Sequence, residues 1–150
     1  MYEQTWITER APLTHHPTEG CITMELDYTV KSSKSFDEAV DAVTAAVPDL
    51  GFKVQHVHDL AAALQKKGHA REPLKIIEIC NADHAAAVLE KNVKIALMLP
   101  CPIVVYEEDG EVFVSTLRAS VMADFYPEAE IGDVSEQVEE ALVSAVNAGR

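Results

Sequence analysis

The chain has 150 residues, 48% of them apolar, which suits one folded domain with a sizeable core and excludes a disordered chain. Acidic residues outnumber basic ones 25 to 12, for a formal charge of −13, so the molecular field repels phosphate backbones and nucleic acid is not expected as a partner. The longest apolar stretch, Val93 to Val105, is broken by Lys94 and two prolines, and Met1 to Gly20 has no apolar signal core, so no membrane partner is expected and the chain is read as cytoplasmic.

In chain order, residues 1–20 carry two prolines, the pair His15-His16 and no sustained period, and are read as an irregular arm ahead of one α+β domain over residues 21–150. Ile22 to Val30 alternates as a strand, with Ile22, Met24, Leu26 and Tyr28 on one face. Ser35-Phe36-Asp37-Glu38 has the form of a capping box, and Phe36, Ala39, Val40, Val43 and Val47 recur at helical spacing until Pro48 and Gly51 stop the element. Phe52 to His58 predicts a second strand with Phe52, Val54, His56 and His58 on one parity; the two histidines either chelate or mark a strand leaving the core. A short helix is expected over Asp59 to Lys67, capped by Asp59 and ended by Gly68.

Leu74 to Cys80 is a near-continuous apolar run suited to an interior strand, and Asn81 offers the N-cap of a helix running to about Lys91. Ile95 to Leu99 and Ile103 to Glu107 are apolar runs parted by Pro100-Cys101-Pro102, where two missing N–H groups force a kink or an edge. Asp109-Gly110 predicts a tight hairpin into Val112 to Leu117, and the acids around it, Glu107, Glu108, Asp109 and Glu111, lack calcium-loop spacing and read as a solvated turn. Arg118 to Gly132 is read as irregular, and Val134 to Ala148 as an amphipathic helix with Val134, Val138 and Leu142 inward and Glu136, Glu139 and Glu140 outward. The expected fold class is a single two-layer α+β domain, a sheet of about five strands with helices packed on one face.

Chemistry concentrates at cysteine. Cys21, Cys80 and Cys101 form an odd set without the paired density of a disulfide-stapled secreted domain, so reduced thiols are expected. Cys80 stands where a strand turns into a helix, close to backbone N–H groups that favour its thiolate. Three readings compete for Cys80 and Cys101. One is a disulfide or persulfide relay in which Cys80 attacks and Cys101 resolves. Another is a soft-metal or haem-type site, with Cys80, His84 and Cys101 as ligands suited to Cu(I) or Zn(II) but without a Cys-x2-Cys element. The last is inert packing, since free cysteines are among the most buried residues. No nucleophile elbow and no phosphate-cradling glycine pattern is present, so no catalytic residue is assigned.

The segments Glu78-Ile79-Cys80-Asn81 and Leu97-Met98-Leu99-Pro100-Cys101-Pro102-Ile103-Val104-Val105-Tyr106-Glu107, followed by Asp109-Gly110, resemble the domain of unknown function 302 family over roughly Ile22 to Val121. The resemblance is to its cysteine-bearing branch, with Ala82 where that branch usually has proline and Pro102 where it usually has asparagine. It implies a compact α+β domain that pairs into a homodimer, and it points to Cys80, Asn81 and Cys101 as the ligand-binding positions without implying a reaction. The resulting expectation is a small cytoplasmic binding protein whose two cysteines meet a sulfur species, a soft metal or a cofactor. Its competitor is a non-catalytic homodimeric assembly module whose cysteines are structural.

Overall fold

A computed structural model of the chain describes residues 25–150. The arm over residues 1–20, with His15 and His16, lies outside the described residues, as do Cys21, Ile22 and Met24.

Five strands, β1 (Asp27–Lys31), β2 (Lys53–Asp59), β3 (Leu74–Cys80), β4 (Cys101–Glu108) and β5 (Glu111–Leu117), form one antiparallel sheet in the order β1-β5-β4-β3-β2. Register makes one side of the sheet the core. Val30 lies opposite Val114, Val114 opposite Val105, Ile103 opposite Ile77, and Ile79 opposite Cys101. Burial follows the same parity: Ile77, Ile103, Val105 and Val114 are fully buried. Each such side chain contributes roughly 1.5–3 kcal/mol of transfer free energy.

Helices cover that side: α1 (Phe36–Ala46), α3 (Ala82–Lys91), α4 (Ser120–Phe125) and α5 (Gly132–Ala148), with the short α2 (Leu60–Gln65) against β3. The capping box forms as expected: the Glu38 backbone donates to the Ser35 hydroxyl, and the Ser35 backbone N–H donates to the Glu38 carboxylate at 3.0 Å. Ala39, Val40, Val43 and Val47 are buried on the inner face of α1 and its C-cap, and the chain then turns through Gly51 at φ 78°. Asp59 caps α2, its carboxylate accepting from the Ala62 N–H at 2.8 Å. The β4–β5 turn places Asp109 and Gly110 at φ 53° and 75°, the paired positive values of a tight hairpin. Both turn N–H groups donate to the Glu72 carboxylate, each at 3.3 Å.

Three expectations need correction. In β2, the register shifts between Val54 and His56, so Val54 pairs with Ile79 on the core side while His56 pairs with Glu78 and His58 with Ile76 on the opposite side. A bulge of one residue, Gln55, flips the parity, which single-strand alternation cannot reveal. The run Ile95 to Leu99 is not extended: Val93–Met98 forms a 3-10 turn, and Cys101 begins β4. Pro102 is tolerated inside this interior strand because it sits at the strand's second residue; its carbonyl accepts from the Thr116 hydroxyl at 2.8 Å. The segment read as irregular contains α4, whose Val121 and Met122 are buried. Its N-cap, Ala119, has no side chain to cap it, so packing rather than a local signal defines the helix.

Among the described residues no helix is long and apolar enough to cross a membrane. Among the described residues no helix lies on the far side of the sheet. Leu74, Ile76, Val104, Tyr106 and Phe113 lie there half-buried, with Tyr106 and Phe113 stacked at a centroid distance of 5.4 Å.

Candidate thiol site

The site forms where β3 and β4 meet the helical layer. Cys80 is the last residue of β3, Asn81 caps α3, and Cys101 opens β4 directly opposite Ile79. The cap is explicit: the Asn81 side-chain carbonyl accepts from the His84 N–H at 3.0 Å, while its amide donates to the Gly51 carbonyl at 2.8 Å. Both ends of the Asn81 side chain are therefore engaged in structure. It fixes the α3 N-terminus against the turn that follows α1.

Cys80, Cys101 and His84 line one recess, closed by Phe52, Val88, Leu99, Met122 and Val138 and almost wholly apolar. The Phe52 and His84 rings stand 6.1 Å apart, tilted by 35°. The recess is partly open to solvent, and its free volume is about 20 Å³, against the 10–15 Å³ or so that one water needs. One further heavy atom fits without movement of the walls.

The two thiols, both free, differ in exposure: Cys80 is half-buried and Cys101 is 7% exposed. Burial, with a smaller contribution from the neighbouring Cys80 charge, pushes the Cys101 thiol up to about 11. Cys101 therefore stays protonated at neutral pH, and Cys80 is the thiol that solvent can reach.

Cys80, Asn81, His84 and Cys101, singled out from the sequence, thus share one site. Among the described residues no three His, Cys, Asp or Glu side chains group as a metal ion would need, so Cys80, His84 and Cys101 line the recess without forming a three-ligand cage. His56 and His58 sit edge to face at 4.2 Å, with the His58 Nε2 3.2 Å from Glu78, on the uncovered side of the sheet. Sequence reasoning missed the walls. Met122 and Val138 come from α4 and α5, far along the chain, and only Phe52, directly after the turning Gly51, carried a local cue.

A second interaction anchors the same end of the fold. Arg118, just past β5, donates to the Glu139 carboxylate at 3.0 Å and to Glu25 at 3.2 Å, and the Ser120 N–H donates to Glu139 at 2.8 Å. Burial pushes the Glu139 carboxyl up, but hydrogen bonds from Ser120 and the Arg118 charge outweigh it and leave the group below its ordinary value.

A five-stranded antiparallel sheet, helices on one side and a two-thiol recess at its end define a small α+β domain with a candidate cysteine site. The chain belongs to the family described as Domain of unknown function DUF302, whose sequence model matches residues 28–149 and so includes α5, beyond the Val121 limit read from the motifs. It is similar to the crystal structure of an uncharacterized conserved DUF302 protein from Bacillus stearothermophilus, with 26% identity and a TM-score of 0.78 over 84% of this chain and 99% of that one. No curated protein matches the chain significantly.

Proposed function

We propose that the chain is a small cytoplasmic binding protein whose working group is the Cys80 thiol, with Cys101 as its buried partner and a small sulfur species or soft metal as its ligand. The observation that carries this reading is the shared recess: a reachable thiol and a buried, protonated one face the same apolar space beside an imidazole. Structural cysteines need no such opening, whereas a thiol that handles a soft ligand needs one exposed sulfur and a shielded partner. The small free volume, about 20 Å³, favours a ligand of one heavy atom over a haem. The acidic surface, at a formal charge of −13, argues against nucleic acid as a partner. Native mass spectrometry of freshly purified, reduced protein tests the reading. A retained adduct that disappears in Cys80→Ser supports it, and an adduct that survives that change overturns it.

A second reading draws support from the uncovered side of the sheet. Leu74, Ile76, Val104, Tyr106 and Phe113 make an apolar surface there, of the kind that a second copy of the chain covers in a homodimer. In that reading the domain is an assembly module and its cysteines fill core volume.

A further inference from the structure

Three properties of the recess, taken together, narrow its ligand. Its free volume admits a single heavy atom, its exposed lining is almost wholly apolar, and Asn81, a polar side chain at its edge, already bonds the Gly51 carbonyl and the His84 N–H. A hydrated anion or an oxygen-ligated cation would lose its solvation there without replacement. A neutral, polarisable sulfur atom loses little. Cys101, held as a thiol, and Met122 present soft sulfur surfaces to it. His84 lines the same recess.

We infer that Cys80 accepts one sulfane sulfur from a low-molecular-weight persulfide and carries it as a Cys80 persulfide shielded by Cys101, Met122 and Phe52; this rests on the thiol-site reading above. The Cys80 thiolate attacks the outer sulfur of R–S–SH, a new S–S bond forms at Cys80, and the donor's S–S bond breaks with its electron pair leaving on R–S⁻. That thiolate takes up the proton released from Cys80, so the sum is Cys80–SH plus R–S–SH giving Cys80–S–SH plus R–SH. No oxidant or reductant is consumed. Burial disfavours the Cys101 thiolate and so slows its attack on the inner sulfur, which opposes collapse to a Cys80–Cys101 disulfide with loss of hydrogen sulfide.

The test uses the full chain in a Cys21→Ser background, incubated with cysteine persulfide, desalted, and read by intact mass and peptide mapping. One added sulfur per chain on the Cys80 peptide is expected, absent in Cys80→Ser and retained in Cys101→Ala. Dithiothreitol should strip it from Cys101→Ala about tenfold faster, because the shielding wall is gone. No added sulfur, equal addition at both cysteines, unchanged stripping in Cys101→Ala, or conversion to a Cys80–Cys101 disulfide overturns the inference. Iodoacetamide separates the two levels. Prompt native alkylation of Cys80 without sulfur uptake sinks the persulfide inference alone, whereas alkylation only after denaturation sinks the thiol site and the inference with it.

Discussion

The Asn81 carboxamide donates to the Gly51 carbonyl at 2.8 Å while its oxygen caps α3 through the His84 N–H, so one side chain joins the exit of α1 to the entrance of the helix beside Cys80. The α3 cap and the floor of the recess are therefore one structure. Replacing Asn81 by alanine should cost about 1–2 kcal/mol, as the loss of an N-cap does. It should also raise the native alkylation rate of Cys80 as the α3 N-terminus frays. Urea unfolding and timed alkylation read the two effects separately, and Asn81→Asp, which keeps the acceptor, should restore most of the stability.

Gly149 tests the packing of the opposite end. A methyl group there would sit 2.7 Å from Val43 Cγ2 and 3.0 Å from Val114 Cγ2, side chains that are both fully buried. Neither neighbour can retreat without disturbing the sheet or α1. Gly149→Ala should destabilise by roughly 1–3 kcal/mol through overpacking, read from the urea midpoint at unchanged slope.

Two ionisable groups give stability opposite pH dependences. Glu139 titrates below its ordinary value in the folded chain, so its contribution is present above the unfolded carboxylate value near 4.3 and is lost as pH falls through the folded one. Glu139→Gln should flatten the acid side of the stability profile. Cys101, raised to about 11, contributes fully below its unfolded value near 9.0 and loses that contribution as pH rises toward the folded one. Cys101→Ala should flatten the alkaline side, and thermal melts between those limits measure it.

The uncovered sheet surface predicts self-association. Sedimentation velocity at micromolar concentration should show a dimer, and Phe113→Glu, placed in the middle of that surface against Tyr106, should yield monomer while the thiol chemistry persists. A wild-type chain that sediments as monomer removes this reading.

Local signals in the sequence located much of the fold and the chemical end of the site. Ser35 to Glu38 specified α1 through its own hydrogen bonds, Asp109-Gly110 specified its turn through backbone conformation, and Asn81 announced α3. The bulge at Gln55 was illegible because it exists only in the pairing with β3, and α4 was illegible because Ala119 offers no local cap and the carboxylate that meets its first N–H, Glu139, comes from α5. For the same reason the sequence pointed to Cys80 and Cys101 but not to their enclosure. Met122 and Val138 reach the recess only through the packing of α4 and α5 on the sheet.

The most direct test of the central claim is native iodoacetamide labelling with peptide mapping, following Cys80 and Cys101 separately in time. The thiol-site account predicts that Cys80 is modified promptly while Cys101 is modified only when denaturant opens the core. Labelling of both at one slow rate that tracks global unfolding would contradict it and leave both cysteines as packing.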